Sequence, residues 1–438
     1  MTSAQRKIYL FIAMAALLGC VGFMQSWSLA LAIVNLCLIS AVMALGVNIQ
    51  WGYAGLFNAG IMGFAALGGV AALIVSVPPV EATWAAGGSG ILASLGILFV
   101  TIAACAVAWR KLQHIRVLAY GVITALIVAG YAIARLYFLP AIEAIESIEA
   151  AKTGYLGGFA LPILLSWPVG GVLAAGVAWI VGKVSLGLRS DYLAIATLGI
   201  SEIIVAILKN EDWLTRGVKN VNGLPRPTPY EVDLQAQSWV TEAAAQLGVT
   251  TIELSSLIVK LCYAGLFLVV LLFIMFLAER ALNAPWGRMM RAIRDNETAA
   301  EAMGKDVTGR HLEVFILGSA VIGIAGAMLA TLDGQFTPTS YQPLRFTFLI
   351  WVMVIVGGSG NNFGSILGGF LVWFAWVEAE PVGAWLIDVA TIWMADDSII
   401  RLHMLNGAAY MRPISMGLIL LLVLRFFPRG LIPEDTRY

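Results

Sequence analysis

Residues 256–278 read SLIVKLCYAGLFLVVLLFIMFLA, and residues 279–311 read ERALNAPWGRMMRAIRDNETAAEAMGKDVTGRH. The first run is long and apolar enough to cross a bilayer core as one helix, which takes about 20 residues. In the second, about a third of the residues are Asp, Glu, Lys or Arg, against 12% over the whole chain, so it belongs in water. An apolar run of membrane length beside a charged connection is the unit that recurs along the sequence. The chain has 438 residues, 60% of them hydrophobic, and a mean hydropathy of +0.88. Further runs lie near 8–23, 28–49, 56–77, 90–109, 117–139, 161–181, 192–208, 312–332 and 413–427, with shorter pieces at 344–357 and 363–377. Backbone amides in lipid must be satisfied internally, so the fold class is all-α: a polytopic bundle of about 10–12 spans. Gly-rich stretches at 52–60 and 357–364 are expected to break helices. Such a composition excludes a water-soluble enzyme. A balance of 26 basic and 26 acidic residues gives no reason to expect a nucleic-acid partner.

Lys and Arg gather on the cytoplasmic side of membrane proteins. With the N-terminus inside, the inner connections hold Arg6, Lys7, Arg110, Lys111, Arg116, Lys183 and Arg189, the basic residues of 279–311, and Arg425, Arg429 and Arg437. These are most of the 26, and both termini are expected in the cytoplasm of a chain embedded in membrane lipid. The outer connections include acidic stretches at 143–149 and 378–397. Arg6 and Lys7 before an apolar run, with Leu17-Leu18-Gly19-Cys20, imitate a lipoprotein leader, but a second apolar run follows at once and the first is read as an uncleaved span. Cys20, Cys37, Cys105 and Cys262 sit in apolar runs without metal spacing, and His114, His311 and His403 are far apart, so no metal site is expected.

The spacing of 285–304 reads as one helix, opened by Pro285 and closed by Gly304. Met289, Ile293, Ala300 and Met303 would form its apolar side, and Arg291 could pair with Asp295 at i,i+4. On spacing alone this is either a solvated amphipathic linker or a docking element whose alanines, Ala292, Ala299, Ala300 and Ala302, let a partner come close. No Gly-x-x-x-x-Gly-Lys-[Ser/Thr] loop is present to cradle phosphates, so ATP-driven work would need a separate ATPase chain.

Within this segment TAAEAMG at 298–304 resembles the coupling loop of binding-protein-dependent importers, with Thr298 where that pattern has Glu. The run PWGRMMRAIRDNE at 285–297 is similar to the corresponding loop of LivM-type permeases of branched-chain amino-acid uptake systems. GYAGLFNAG at 52–60, LRSDYLAIATL at 188–198 with Gly223-Leu224-Pro225, GGSG at 357–360 with Gly364 and Gly368, and PRGL at 428–431 resemble further segments of that family. The resemblance implies a bacterial inner-membrane permease working with a second permease subunit, cytoplasmic ATPase subunits and a periplasmic substrate-binding protein. ATP and Mg would then sit on the ATPase chains, with no cofactor on this one. It further implies a coupling site at Gly287, Arg288, Arg291, Ala292, Arg294, Asn296, Ala299, Ala300, Glu301 and Gly304. One permease domain, 1–438, would hold a coupling loop at 279–311, a periplasmic loop at 209–255 and an insertion with an extra helix pair at 80–160.

For the path itself the residues offer Asn48, Asn58, Gly60, Thr197, Glu202, Gly357 and Gly360, as lining groups or helix breaks. Glu202 is the one mid-span acid recognised in the sequence, where a charge costs about 2.5–3.5 kcal/mol on insertion scales. It either faces a polar path or helix contact, or pairs with Lys209 near the outer end. Asn48, Asn58 and Thr197 either line a passage or bond across helices. Alternatives to an amino-acid importer subunit are a sister permease for urea or short amides and an ion-coupled secondary carrier.

Overall fold

The computed structural model describes residues 3–149, 153–395 and 398–434. Arg437 and Asp397, assigned above to the inner and outer sides, lie outside them. Sixteen helices of six or more residues can be followed in order. They are α1 (Ser3–Met24), α2 (Trp27–Val47), α3 (Ile61–Ser76), α4 (Ser89–Leu112), α5 (Arg116–Ser147), α6 (Ser166–Ser185), α7 (Ser190–Asn210) and α8 (Ser238–Leu247). Then come α9 (Thr251–Asn283), α10 (Pro285–Asp295), α11 (Glu297–Ala302), α12 (Val307–Asp333), α13 (Pro343–Gly357), α14 (Asn362–Ala390), α15 (Ile399–Asn406) and α16 (Met411–Phe426). Ten helical stretches are long and apolar enough to cross a membrane, and Ile61–Ser76 and Pro343–Gly357 are shorter apolar helices. The only strands among the described residues are β1 (Val221–Asn222) and β2 (Gln335–Phe336), paired antiparallel.

α2 and α12 form the buried centre, with α3, α6, α9, α13 and α14 packed around them. Their approach depends on glycine. A Cβ on Gly68 of α3 would come within 1.9 Å of the Gly323 carbonyl oxygen of α12, so the two backbones touch where side chains normally keep helices apart. The Gly364-x-x-x-Gly368 pair does the same for α14, since a Cβ on Gly368 would lie 1.9 Å from the Met353 carbonyl oxygen of α13. By contrast α4 and α5 pack mainly on each other, touching the remainder through 81–88 and Asp212–Thr215, and present Leu, Ile, Val and Tyr outward.

Both expected breaks occur. α2 runs into a wide turn at Asn48–Gly52 and then into irregular backbone before α3, and α13 ends at Gly357, four residues before α14 begins after Asn361. α14 continues to Ala390 rather than stopping near 377, so most of the acidic stretch expected in an outer connection is helical. α8 is closed by Gly248 at φ 69°, and no side chain caps its start. The connection between α7 and α9 is stitched to the α12–α13 connection by β1–β2 and by the amides of Gly223 and Leu224 donating to the Gly334 carbonyl.

Gly68→Ala should therefore force α3 and α12 apart, at a cost of about 1–3 kcal/mol for overpacking. Its melting temperature in detergent is expected to fall, while Gly176→Ala on α6, where a Cβ would meet nothing within 4 Å, should leave it unchanged.

Candidate functional site: the coupling end of the bundle

Within the charged segment, the stretch 285–304 read as one helix folds as two, α10 and α11. Asn296 leaves helical geometry (φ −156°, ψ 95°) and its side chain accepts from the Ala299 amide at 2.9 Å, capping α11 and ending α10. The 3.6-residue period is interrupted there. Met290 and Ile293 of α10 and Ala300 of α11 point into the bundle, whereas Met303, expected on the same apolar side, is 80% exposed. Gly287 permits the tight turn from α9, since a Cβ would lie 2.2 Å from the Leu282 carbonyl oxygen. Arg288, Ala292, Ala299, Glu301 and Gly304 are exposed.

Arg291 and Arg294 turn inward. Arg294 Nη2 lies 2.9 Å from Glu434 Oε2, its Nη1 donates to the Gly52 carbonyl, and its Nε is 3.3 Å from Asp295. Arg291 Nη1 stands 4.0 Å from Glu434 Oε1, and its Nη2 donates to the Leu282 carbonyl. The Arg291–Asp295 pair expected from i,i+4 spacing is replaced by these contacts. Geometry explains the exchange: the tail after α16 brings the partly buried Glu434 under α10, where it meets both partly buried guanidinium groups, while Asp295 stays more exposed.

That tail is itself fixed to the second break. The amides of Leu431 and Ile432 donate to the carbonyls of Val356 and Gly357 at 2.9 and 2.8 Å, and Asn361 Nδ2 donates to the Pro433 carbonyl at 3.0 Å. Gly358 at φ +116° takes a conformation that residues with side chains avoid, and a Cβ on Gly430 would come within 2.3 Å of the Gly358 Cα. A Cβ on Gly357 would meet the Gly364 carbonyl oxygen at 2.0 Å.

Between the two breaks lies a buried amide network. Asn362 accepts from Asn48 Nδ2 at 3.0 Å and from the Tyr53 hydroxyl at 2.6 Å, and donates to Glu279 at 2.9 Å. Asn48 Oδ1 accepts from the Gly360 amide at 2.8 Å. Gln50 donates to the Phe315 carbonyl and to Ser319 of α12, and accepts from Asn58 at 2.9 Å. Asn58 in turn accepts from the Gly60 amide at 2.8 Å, its carbonyl accepts from Trp351 Nε1, and the Ala59 amide donates to Thr197 Oγ1 at 3.0 Å. Asn48, Asn58, Gly60, Thr197 and Gly360 thus belong to one interlocked region, bonding elements together. Glu202 alone stands apart, exposed on the far face of α7 with no pairing to Lys209. Sequence reasoning missed Gln50, Tyr53, Glu279, Asn362 and Glu434; a polar residue beside a Gly-rich break was the available signal for the first two. It also passed over Glu378, which is buried in α14 and accepts from Gln25 at 2.9 Å.

Two cavities flank the network. One of ≈ 150 Å³ opens at the coupling end between Gly55, Phe57, Leu188, Arg294 and Glu297. Another of ≈ 250 Å³ lies toward the opposite end, walled by Ile39, Met43, Met62, Ile350 and Met353, with Asp333 and Tyr341 also on its lining. Between them Phe57 stacks on Trp351 at 4.2 Å and Trp51 meets Trp351 edge-on at 5.1 Å.

Residues 118–424 match the branched-chain amino acid transport system permease component family. The chain belongs to that family. It is a multi-pass membrane protein and a transport component, not an enzyme. It is 30% identical over 207 residues to the high-affinity branched-chain amino acid transport system permease protein LivM of Escherichia coli K12, covering 47% of this chain and 48% of that one. The Salmonella typhimurium LivM is 32% identical over 209 residues, with the same coverage. A probable LivM of Methanocaldococcus jannaschii is 27% identical over 271 residues, covering 60% of this chain and 67% of its own. The chain thus spans about half the length of the first two relatives. No solved structure matches it.

Asn362→Leu should strand the buried amide of Asn48, at about 1–3 kcal/mol, and remove one partner each from the Tyr53 hydroxyl and the partly buried Glu279 carboxylate. Thermal melting in detergent should show a large loss for this variant. Asn48→Leu with Asn362→Leu should lose clearly less than the sum of the two, because the shared bond is removed only once.

Proposed function

We propose that the chain is an inner-membrane permease subunit of an ATP-driven, binding-protein-dependent importer of branched-chain amino acids. The carrying observation is the α10–α11 platform. An almost fully exposed Met303 sits beside the small exposed residues Ala299 and Ala302, at the end of the bundle where the chain's first and last described segments meet. Arg6 stacks over Phe427 and Lys7 over Phe363 at that same end, which supports placing both termini in the cytoplasm. A large apolar side chain among small neighbours is suited to a groove on a soluble partner. That partner is the ATPase subunit, carrying ATP and Mg; a sister permease completes the membrane part, and a periplasmic binding protein seats on the 209–255 cap. The ≈ 250 Å³ cavity has apolar walls for an aliphatic side chain and Asp333 on its lining for the α-ammonium group of the same molecule, which supports an amino acid as cargo.

In this reading Arg291 and Arg294 act inside the chain. They tie the platform to Glu434 and Gly52, and hence to both broken helices, so movement of the ATPase is delivered to the backbone breaks.

Ala299→Trp and, separately, Met303→Glu should leave the protein inserted in the membrane while abolishing both co-purification of the ATPase and uptake of radiolabelled leucine. Normal uptake by both variants would refute the docking surface. Arg294→Glu should uncouple ATP hydrolysis from uptake by repelling Glu434. Adding Glu434→Arg should restore part of the transport, an outcome that separates this internal role from direct contact with the ATPase.

A further inference from the structure

Glu202 is the only Asp, Glu, Lys or Arg between Asp191 and Lys209. The apolar run 192–208 is centred on residue 200, and at ~1.5 Å per residue Glu202 lies ~3 Å from its middle along the helix axis. α7 buries Leu193, Thr197, Ser201 and Val205 against the bundle, where Thr197 and Ser201 accept the amides of Ala59 and Gly63. Glu202 points the other way. It is exposed on a face it shares with Ile195, Ile203 and Ile207, and it makes no hydrogen bond or ion pair among the described residues.

An ionised carboxyl facing hydrocarbon there without a polar partner costs about 2.5–3.5 kcal/mol on insertion scales, and such groups almost always face protein instead. The short side chain of Glu202, about 9 Å from the nearer end of the run, does not reach the interface. The contrast with Arg135 is instructive: that exposed charge lies about 6 Å from the end of the 117–139 run, on a long side chain able to extend to the headgroups. The acid inside α14, Glu378, is instead buried in the bundle and accepts from Gln25 at 2.9 Å. The ground around Glu202 is open as well. One turn before it, a Cβ on Gly199 would meet nothing within 4 Å, and Ala206 lies one turn beyond, so a foreign helix can come close to the carboxyl group.

We propose that this outward face of α7 is the surface on which the sister permease packs within the membrane, with a hydrogen-bond donor of that chain meeting the Glu202 carboxyl group. The inference rests on the importer reading above and adds to it which face of this chain the second permease covers. The outward face of α9, with Leu268, Val269, Leu272 and Phe273, carries no charge and is left to lipid.

The test places the photo-reactive residue p-benzoylphenylalanine at Ile203 and, in a second variant, at Phe273, each in the full chain expressed with its transport partners. After irradiation of intact membranes, Ile203 should give an adduct with the sister permease identified by mass spectrometry, and Phe273 should not. An adduct with a second copy of this chain, with lipid alone, or with the sister permease from Phe273 only, overturns the assignment. Affinity purification runs alongside. If no sister permease co-purifies, the importer reading itself fails; if it co-purifies without linking at Ile203, only the α7 assignment fails. A second measurement compares Glu202→Gln with Glu202→Leu. The amide should retain the sister chain, whereas the leucine should reduce its recovery by about tenfold, the loss of one interhelical hydrogen bond. Equal recovery from both variants would mean that Glu202 meets no partner group.

Discussion

The structure depends on satisfying broken backbone inside a membrane. At 55–60 and at 358–361 the chain leaves helical geometry, and inside the packed bundle the freed amides and carbonyls have no water to turn to. The two breaks are placed so that each supplies what the other lacks. Asn48, before the first break, accepts the Gly360 amide within the second, and Asn362, after the second, takes the Asn48 amide and the Tyr53 hydroxyl. An Asn carboxamide is small and offers both donors and an acceptor, which suits a junction where backbone groups of both kinds are exposed. Glycine supplies the other half of the solution, bringing α3 to α12 and α13 to α14 closely enough for such short side chains to reach.

From that junction the coupling end follows. Arg294 takes a carbonyl of the first break, and Glu434, which it holds, sits on a tail whose backbone is bonded to the second. One guanidinium therefore touches two separated parts of the chain and reaches a third through the tail. A guanidinium is suited to this because its donors are fixed in a plane and remain charged at any physiological pH. Displacing α10 pulls on both broken helices at once, whereas a lysine would offer a single mobile point charge.

The sequence made the spans legible because lipid imposes one rule along each of them: about 20 apolar residues, and charge only at the ends. The break positions were legible because glycines cluster there more densely than close helix packing requires, beside the polar residues Asn58, Ser359, Asn361 and Asn362. The coupling segment was only half legible. Its composition placed it in water and only its resemblance implied a docking element, while the pattern 289, 293, 300 and 303 assumed an uninterrupted helix, and Asn296 preferred to cap a new one. Arg291 looked ready for Asp295 by spacing, yet Glu434, more than 140 residues away, won through tertiary placement. Long-range partners of this kind leave no periodic trace, which is why Glu279, Asn362 and Glu434 were invisible. Glu378 escaped for a related reason: the acidic stretch around it suggested a loop, while the helix carried it inside to Gln25.

The polar groups of the bundle fall into two kinds by how costly it is to exchange their partners. Those around Asn362 and Asn58 are sealed from solvent, and breaking any one bond leaves a buried group unpaired before a new partner can arrive. They behave as a rigid joint. Those around Arg291, Arg294 and Glu434 keep roughly a fifth to a third of their side-chain surface exposed, so water can replace each contact as it is lost. Rearrangement is cheapest at this layer, and it lies directly beneath α10 and α11. In the importer proposed above, exchangeable contacts would stand where a push arrives, and an unyielding amide joint immediately behind them would let the breaks shift as units.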